Sequence, residues 1–323
     1  MRVIAAFKVL TKIWSIRRGD PPVDTVTSHN GNIFLGRSNQ LQWFKPTGDQ
    51  IKGLQERWLP RPIQKIDVNT KSLLVRLSPD NLDYVSESMV FAKGTSKKIK
   101  WEDNTLFETV VEDDMLFRSN YFGDIAIYPL TKEEDDHDEL KTMKIKASAM
   151  TIHGKYLWTA VEQNTHKGTF TKIEAIALDT MNTTYTFYLD SHKCCHPVHL
   201  SVMIQECYPK SVIYIVVGYM RGGVCTGNMY FPPENQKSTF HTHNHLPNEN
   251  VLLSMCFDFP FIHTLTDKCI ETYRFPAIMS IPQYLGSYHF RHNYYNVVNQ
   301  IACIKRQVFW NGEEELHSVE ITE

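Results

Sequence analysis

The residues best placed to do chemistry in this 323-residue chain are cations that recur at one kind of position. Arg37, Arg76, Arg118 and Arg221 each stand at the end of an apolar run or just inside the turn after it, and Lys167 and Lys268 occupy equivalent loops. Guanidinium forks bind carboxylates and phosphates bidentately, so a gathered set of these groups suits an acidic or phosphorylated protein segment. Solvated turn charges, partly paired with Asp80, Asp124 and Asp267, are the competing reading. A second constellation is rich in soft-metal donors: His192, Cys194, Cys195, His196 and His199, followed by Cys225, His241, His243 and His245. Zinc takes such ligands tetrahedrally, usually from paired near neighbours. Here the spacing is irregular and no Cys-x-x-Cys occurs. A polar strand would also place His241, His243 and His245 on one face. They are read as strand residues, with no metal or cofactor assigned. A third feature, Lys93 to Trp101, sets basic residues beside an aromatic and reads as an exposed hairpin; contact with a nucleic-acid backbone is the alternative. There is no Gly-rich phosphate loop, no Gly-x-Ser-x-Gly elbow and no dinucleotide fingerprint, so no catalytic residue is assigned.

Elements of a particular kind must position these cations. Ile33 to Asn39 is followed by Leu41 to Phe44, and Met115 to Asn120 by Ile125 to Tyr128. Both read as a short strand, a turn opening with Arg-Ser-Asn and a second strand ending in an aromatic. Looser copies give units of about 40 to 50 residues, the length of a four-stranded propeller blade. Their starts fall near Asp24, Ile63, Leu106, Ala147, Val198 and Val251, with a shorter final segment from Val297. Within them, Ser78 to Asn81 reads as a turn leading to a strand at Leu82 to Val85. The stretch between Val161 and Ile173 reads as a polar loop, and Met220 to Asn228 as a Gly-rich turn. The expected fold is therefore all-β: a closed β-propeller of about seven four-stranded blades, with six and an extra strand pair as the alternative, spanning 1–323 as one domain. The final unit is short by a strand. An amino-terminal pair, Val3 to Leu10 and Lys12 to Arg17, could complete it and close the ring, removing sheet edges.

Strand number and spacing resemble the WD-repeat propellers over nearly the whole chain. Third strands end Gln42-Trp43-Phe44, Ala126-Ile127-Tyr128, Met229-Tyr230-Phe231 and Thr272-Tyr273-Arg274, which keeps the aromatic of that family in several units and loses its acid. No Gly-His opens a unit and no Trp-Asp closes a third strand. The resemblance implies a peptide-binding face and a non-enzymatic scaffold, a subunit of a larger complex with protein partners. A nucleic-acid-associated propeller is the alternative. Thr239 to His245 also faintly resembles the metal motif of metallo-β-lactamase-like hydrolases, but Asn244 stands where that family has an aspartate. A metal-dependent hydrolase is thus a second alternative.

Composition sets outer bounds. Apolar residues make up 42%, enough for a packed core, and the formal charge of -2 gives no global attraction to nucleic acid or acidic membranes. No apolar run reaches the ~20 residues of a membrane-spanning helix. The 7 cysteines lie mostly in apolar runs, as at Cys207, Cys256 and Cys303, and read as small buried hydrophobes of a reducing, intracellular compartment, cytoplasmic or nuclear. Val3, Phe7, Leu10 and Trp14 fall at helical spacing among Arg2, Lys8, Lys12, Arg17 and Arg18, so a mitochondrial presequence is the alternative to the amino-terminal strand pair. Lys132 to Glu139 reads as a solvated charged loop.

Overall fold

A computed structural model describes residues 8–14, 23–47, 50–68, 72–78, 86–92, 95–101, 108–112, 115–120, 124–129, 141–166, 168–190, 196–207, 210–220, 223–231, 243–244, 251–274, 283–290, 300–311 and 316–322. The described secondary structure is strands joined by short turns, as alternating apolar and polar residues with frequent β-branched and aromatic side chains dictate. The strands form seven hydrogen-bonded sheets of four. Sheet I holds β2 (Thr25–His29), β3 (Asn32–Arg37), β4 (Gln40–Thr47) and β5 (Gln50–Trp58). Sheet II holds β6 (Ile63–Val68), β7 (Ser72–Leu77), β8 (Ser86–Ala92) and β9 (Thr95–Trp101). Sheet III holds β10 (Glu108–Glu112), β11 (Met115–Ser119), β12 (Asp124–Pro129) and β13 (Lys141–Lys146). Sheet IV holds β14 (Ala149–His153), β15 (Tyr156–Thr165), β16 (Gly168–Ala177) and β17 (Thr183–Asp190). Sheet V holds β18 (Pro197–Cys207), β19 (Lys210–Tyr219), β20 (Gly223–Phe231) and the short β21 (His243–Asn244). Sheet VI holds β22 (Leu252–Asp258), β23 (Phe261–Thr266), β24 (Cys269–Arg274) and β25 (Gln283–His289). Sheet VII joins both parts of the chain: β26 (Ile301–Ile304), β27 (Gln307–Asn311) and β28 (Leu316–Thr322), with β1 (Lys8–Trp14) on its outer edge.

Each sheet is an antiparallel meander whose first strand meets the first strand of the next: β2 with β6, β6 with β10, β10 with β14, β14 with β18, β18 with β22 and β22 with β26. β26 in turn meets β2. Backbone and hydroxyls stitch that last joint. Ser28 Oγ donates to the Cys303 carbonyl at 2.7 Å and accepts from the Cys303 N–H at 3.2 Å, and the Thr25 hydroxyl donates to the Gln300 side chain. This radial stacking of four-stranded meanders is a β-propeller. Its core is a series of inter-sheet layers rather than one central cluster. Sheets IV and V pack Trp158, Ala160 and Ile173 against Ile213, Ile215 and Val217, and sheets V and VI pack Tyr214 and Val216 against Met255 and Ile262.

Several local expectations change. The amino-terminal segment contributes one described strand, β1, running through Thr11 in antiparallel register with β28 from Lys8↔Thr322 to Trp14↔Leu316. The third strand of sheet II begins at Ser86, and residues 82–85 lie outside the described residues. Thr95–Trp101 is the outer strand β9, the second arm of an antiparallel hairpin with β8 that pairs up to Ala92↔Thr95, and residues 93–94 lie outside the described residues. The polar stretch after Val161 continues as strand, because Thr165, Thr169, Phe170 and Thr171 form ladder pairs up to Thr165↔Gly168. Of the Gly-rich segment after Met220, residues from Gly223 onward belong to strand β20, which begins paired with Tyr219. The charged run 132–139 lies outside the described residues.

Candidate partner-binding face

In sheets I, V and VI the turn between second and third strands and the link into the next sheet lie at one end, which the hydrogen bonds show directly. In sheet I, Ser38 takes a positive φ of 51°. Its carbonyl accepts from the Ile63 N–H of sheet II at 2.6 Å, and the Asn39 carbonyl accepts from the Leu59 N–H at 2.8 Å. In sheet V, Met220 N–H donates to the His196 carbonyl and the Met220 carbonyl accepts from Leu252 of sheet VI. In sheet VI, the Lys268 carbonyl accepts from the Phe290 N–H. The approach is tight enough to demand glycine. A Cβ on Gly36 would stand 2.5 Å from Thr25 Cγ2 and 2.9 Å from Ile63 Cγ2, and one on Gly218 would stand 2.6 Å from Leu252 Cδ2.

Arg37, Arg76 and Arg118 occupy this end, as their strand-end positions predict, but not as solvent-facing rim charges. Their exposures are 1%, 9% and 7%. Strand alternation explains where they go. Arg37 shares a side with Ile33 and Leu35, which pack against Ala302 and Phe309 of sheet VII. It pairs in register with Gln40, which is also buried and accepts from the Gln42 side chain at 3.2 Å. Val75 and Leu77 pack back toward Leu41 and Leu59 of sheet I, so Arg76 turns toward sheet III. Phe117 packs forward onto Met150 and Leu157 of sheet IV, so Arg118 turns toward sheet II. The two guanidinium groups thus enter one inter-sheet junction from opposite sides. Lys65 pairs in register with Arg76, and its ammonium lies 3.1 Å from Asp67. Long methylene stems let arginine run along an apolar layer while its head stays at the layer's polar end, which is why a strand-end arginine becomes a junction residue. Lys268 is exposed in its turn; Arg221 and Lys167 lie outside the described residues.

The exposed residues of this face include apolar ones that the cation pattern did not pick out. Trp58, 63% exposed, pairs with Gln40 next to the Ser38–Asn39 turn. Met220, 46% exposed, forms the sheet V turn. A large apolar residue placed in a turn was the available signal. Tyr284 is also exposed, but pairs with Tyr273 at the opposite end of its sheet.

His263 and His199 behave as interior polar pins. His263 is fully buried; its Nε2 lies 2.7 Å from the Lys305 carbonyl and its Nδ1 2.9 Å from Thr272 Oγ1. A carbonyl only accepts, so Nε2 carries the proton and Nδ1 accepts from the threonine. Burial pulls the His263 pKa down to about 4. His199, on the inner strand β18, is drawn down to about 4 by burial and by the positive field of Lys65, while a hydrogen bond with the Leu253 backbone opposes the shift. His243 lies in β21; 191–195, His241 and His245 fall outside the described residues. Among the described residues, no group of three or more His, Cys, Asp and Glu side chains gathers as metal ligands, and no helix is long and apolar enough to cross a membrane.

No known family profile matches the chain, and no curated protein does. Solved structures do. A chain of the Mitotic Checkpoint Complex is similar over 100% of this chain and 95% of its own length, with a TM-score of 0.63 at 8% identity. The computationally designed Ika8 protein is similar over 93% of this chain and 96% of its own, with a TM-score of 0.53 at 10% identity. These likenesses support a WD-repeat-like β-propeller and identify no family.

Proposed function

We propose that this protein is a non-enzymatic interaction scaffold: a single propeller domain, its seven sheets closed into a ring, that serves as a subunit of a larger complex. It binds a protein partner on the face where the second-to-third strand turns gather. The observation that carries this reading is the pairing of exposed apolar residues with cationic ones at that end. Trp58 and Met220 offer the aromatic and thioether anchors that dominate protein interfaces, and Lys268 is exposed at the surface. At the same end of their sheets, Arg76 and Arg118 enter the junction between sheets II and III, and guanidinium groups at such a position suit an acidic or phosphorylated segment. The similarity to a chain of the Mitotic Checkpoint Complex supports a role in assembly.

The test is partner capture by the full-length chain carrying Trp58→Ala, Met220→Glu and Lys268→Glu together, beside a Tyr284→Ala control at the opposite end. The proposal expects capture to fall at least about tenfold for the triple variant, equivalent to ~1.4 kcal/mol, and to be unchanged for the control. Equal capture by all three proteins would move the working surface elsewhere. Dephosphorylating the extract first separates a phosphorylated segment, whose capture is lost, from an acidic one, whose capture persists.

A further inference from the structure

We infer that Cys256 and Cys303 form a dithiol clasp between sheets VI and VII, a modification site that an oxidant closes into an inter-sheet disulfide. The inner strands β22 and β26 run in the same direction, side by side, and two hydrogen bonds fix their alignment. Ile301 N–H donates to Ser254 Oγ at 3.3 Å, and Lys305 N–H donates to Asp258 Oδ2 at 2.7 Å, both with a sequence offset of 47. Residue 256 is midway between 254 and 258, and the same offset places it opposite residue 303. Strand alternation then turns Ser254, Cys256 and Asp258 to the same side, toward β26. The two thiols are free, and Cys303 acts on the Cys256 thiol as a direct neighbour. Cys303 is buried and Cys256 is half-buried. From the other flank, Ser28 of sheet I holds the Cys303 backbone through both its N–H and its carbonyl. The sulfur pair therefore sits at the joint adjoining the sheet in which the two chain ends meet.

Burial first, and then the neighbouring Cys303 and Asp258, hold the Cys256 thiol well above its ordinary range. At rest it is a protonated, weakly nucleophilic thiol, so the clasp is open and peroxide closes it slowly. With hydrogen peroxide, Cys256 Sγ becomes a sulfenic acid and one water leaves. Cys303 Sγ then attacks that sulfur, forming the S–S bond and releasing a second water. Two thiols and one peroxide yield one disulfide and two waters. The link joins inner strands that lack a shared ladder, and closes a long loop that the unfolded chain would otherwise sample freely.

The intact protein, treated with hydrogen peroxide and digested without reductant, supplies the test by mass spectrometry. The clasp predicts a linked peptide pair containing Cys256 and Cys303, lighter by two hydrogens, absent from Cys256→Ser and Cys303→Ser proteins. It also predicts a Tm that rises on oxidation and returns with a thiol reductant. Recovery of Cys256 as sulfinic acid with Cys303 still open to alkylation would overturn the inference, even if neither serine variant folds. A link from either sulfur to Cys269, or a Tm that falls when the 256–303 link forms, would overturn it too.

Discussion

His263 shows how one side chain can hold two sheets together, and it gives the molecule a pH signature. Its ring spans from Thr272 within sheet VI to the Lys305 carbonyl of sheet VII, and only the neutral tautomer fits both partners. The folded pKa near 4 lies below the ordinary 6.5, so between those values the unfolded chain binds more protons than the folded one. Stability from this residue is complete above pH ~6.5 and drains away as the pH falls toward 4. The depression corresponds to roughly 3 kcal/mol for a side chain this buried. His199 is shifted the same way, and burial also lowers His29 and His153. Urea midpoints measured from pH 7.5 to 4 should fall steadily, and His263→Gln should flatten part of that slope while lowering stability at pH 7.5. A midpoint independent of pH over this range would contradict the buried neutral histidines. None of this was legible in the sequence. His263 is one polar letter in an apolar run, and its partner in sheet VII is 42 residues away.

Two glycines fix the geometry at the scale of elements. Gly36 and Gly218 occupy corresponding places near the ends of second strands, where the inner strand of the same sheet and that of the next converge. Adding a methyl group forces the β-branched Thr25 and Ile63 apart in the first case and displaces Leu252 in the second. Gly36→Ala and Gly218→Ala should each cost roughly 1–3 kcal/mol, read as a lower urea midpoint at unchanged slope. A neutral Gly36→Ala would mean that the sheets are spaced more widely than the structure has them.

Elements were the most legible level of the sequence. Alternation and turn residues mark most strands, and the Asn30–Gly31 hairpin turn has the two positive φ values, 48° and 73°, that its residue types promise. The errors share a cause. The stretch from Glu162 to Lys172 looks like a polar loop because Asn164 to His166 are exposed and polar residues dominate it, yet its backbone groups still pair. Exposure erased the hydrophobic period while the ladder persisted. Candidate site residues were legible as positions and not as environments. Strand-end arginines could be found by spacing, but their burial depends on which neighbouring sheet covers each side, and that only the assembled molecule decides.

At the scale of the whole molecule, the chain ends are structural parts. β1 covers the edge of β28 through seven register pairs, so the last sheet depends on the first described strand. Deleting residues 1–18 should leave an unpaired edge and turn a monomer into concentration-dependent oligomers, seen by light scattering. An equally stable monomeric truncation would contradict that dependence.

A partner seated on the turn face would shield its amides, so hydrogen exchange compared with and without the captured partner decides whether that face is used. The account predicts slowed exchange at 38–40, 58–61, 220 and 267–269, and no change at the opposite turns, 30–31, 154–155 and 305–306. Protection confined to those opposite turns, or to outer strands such as β17 and β25, would contradict it.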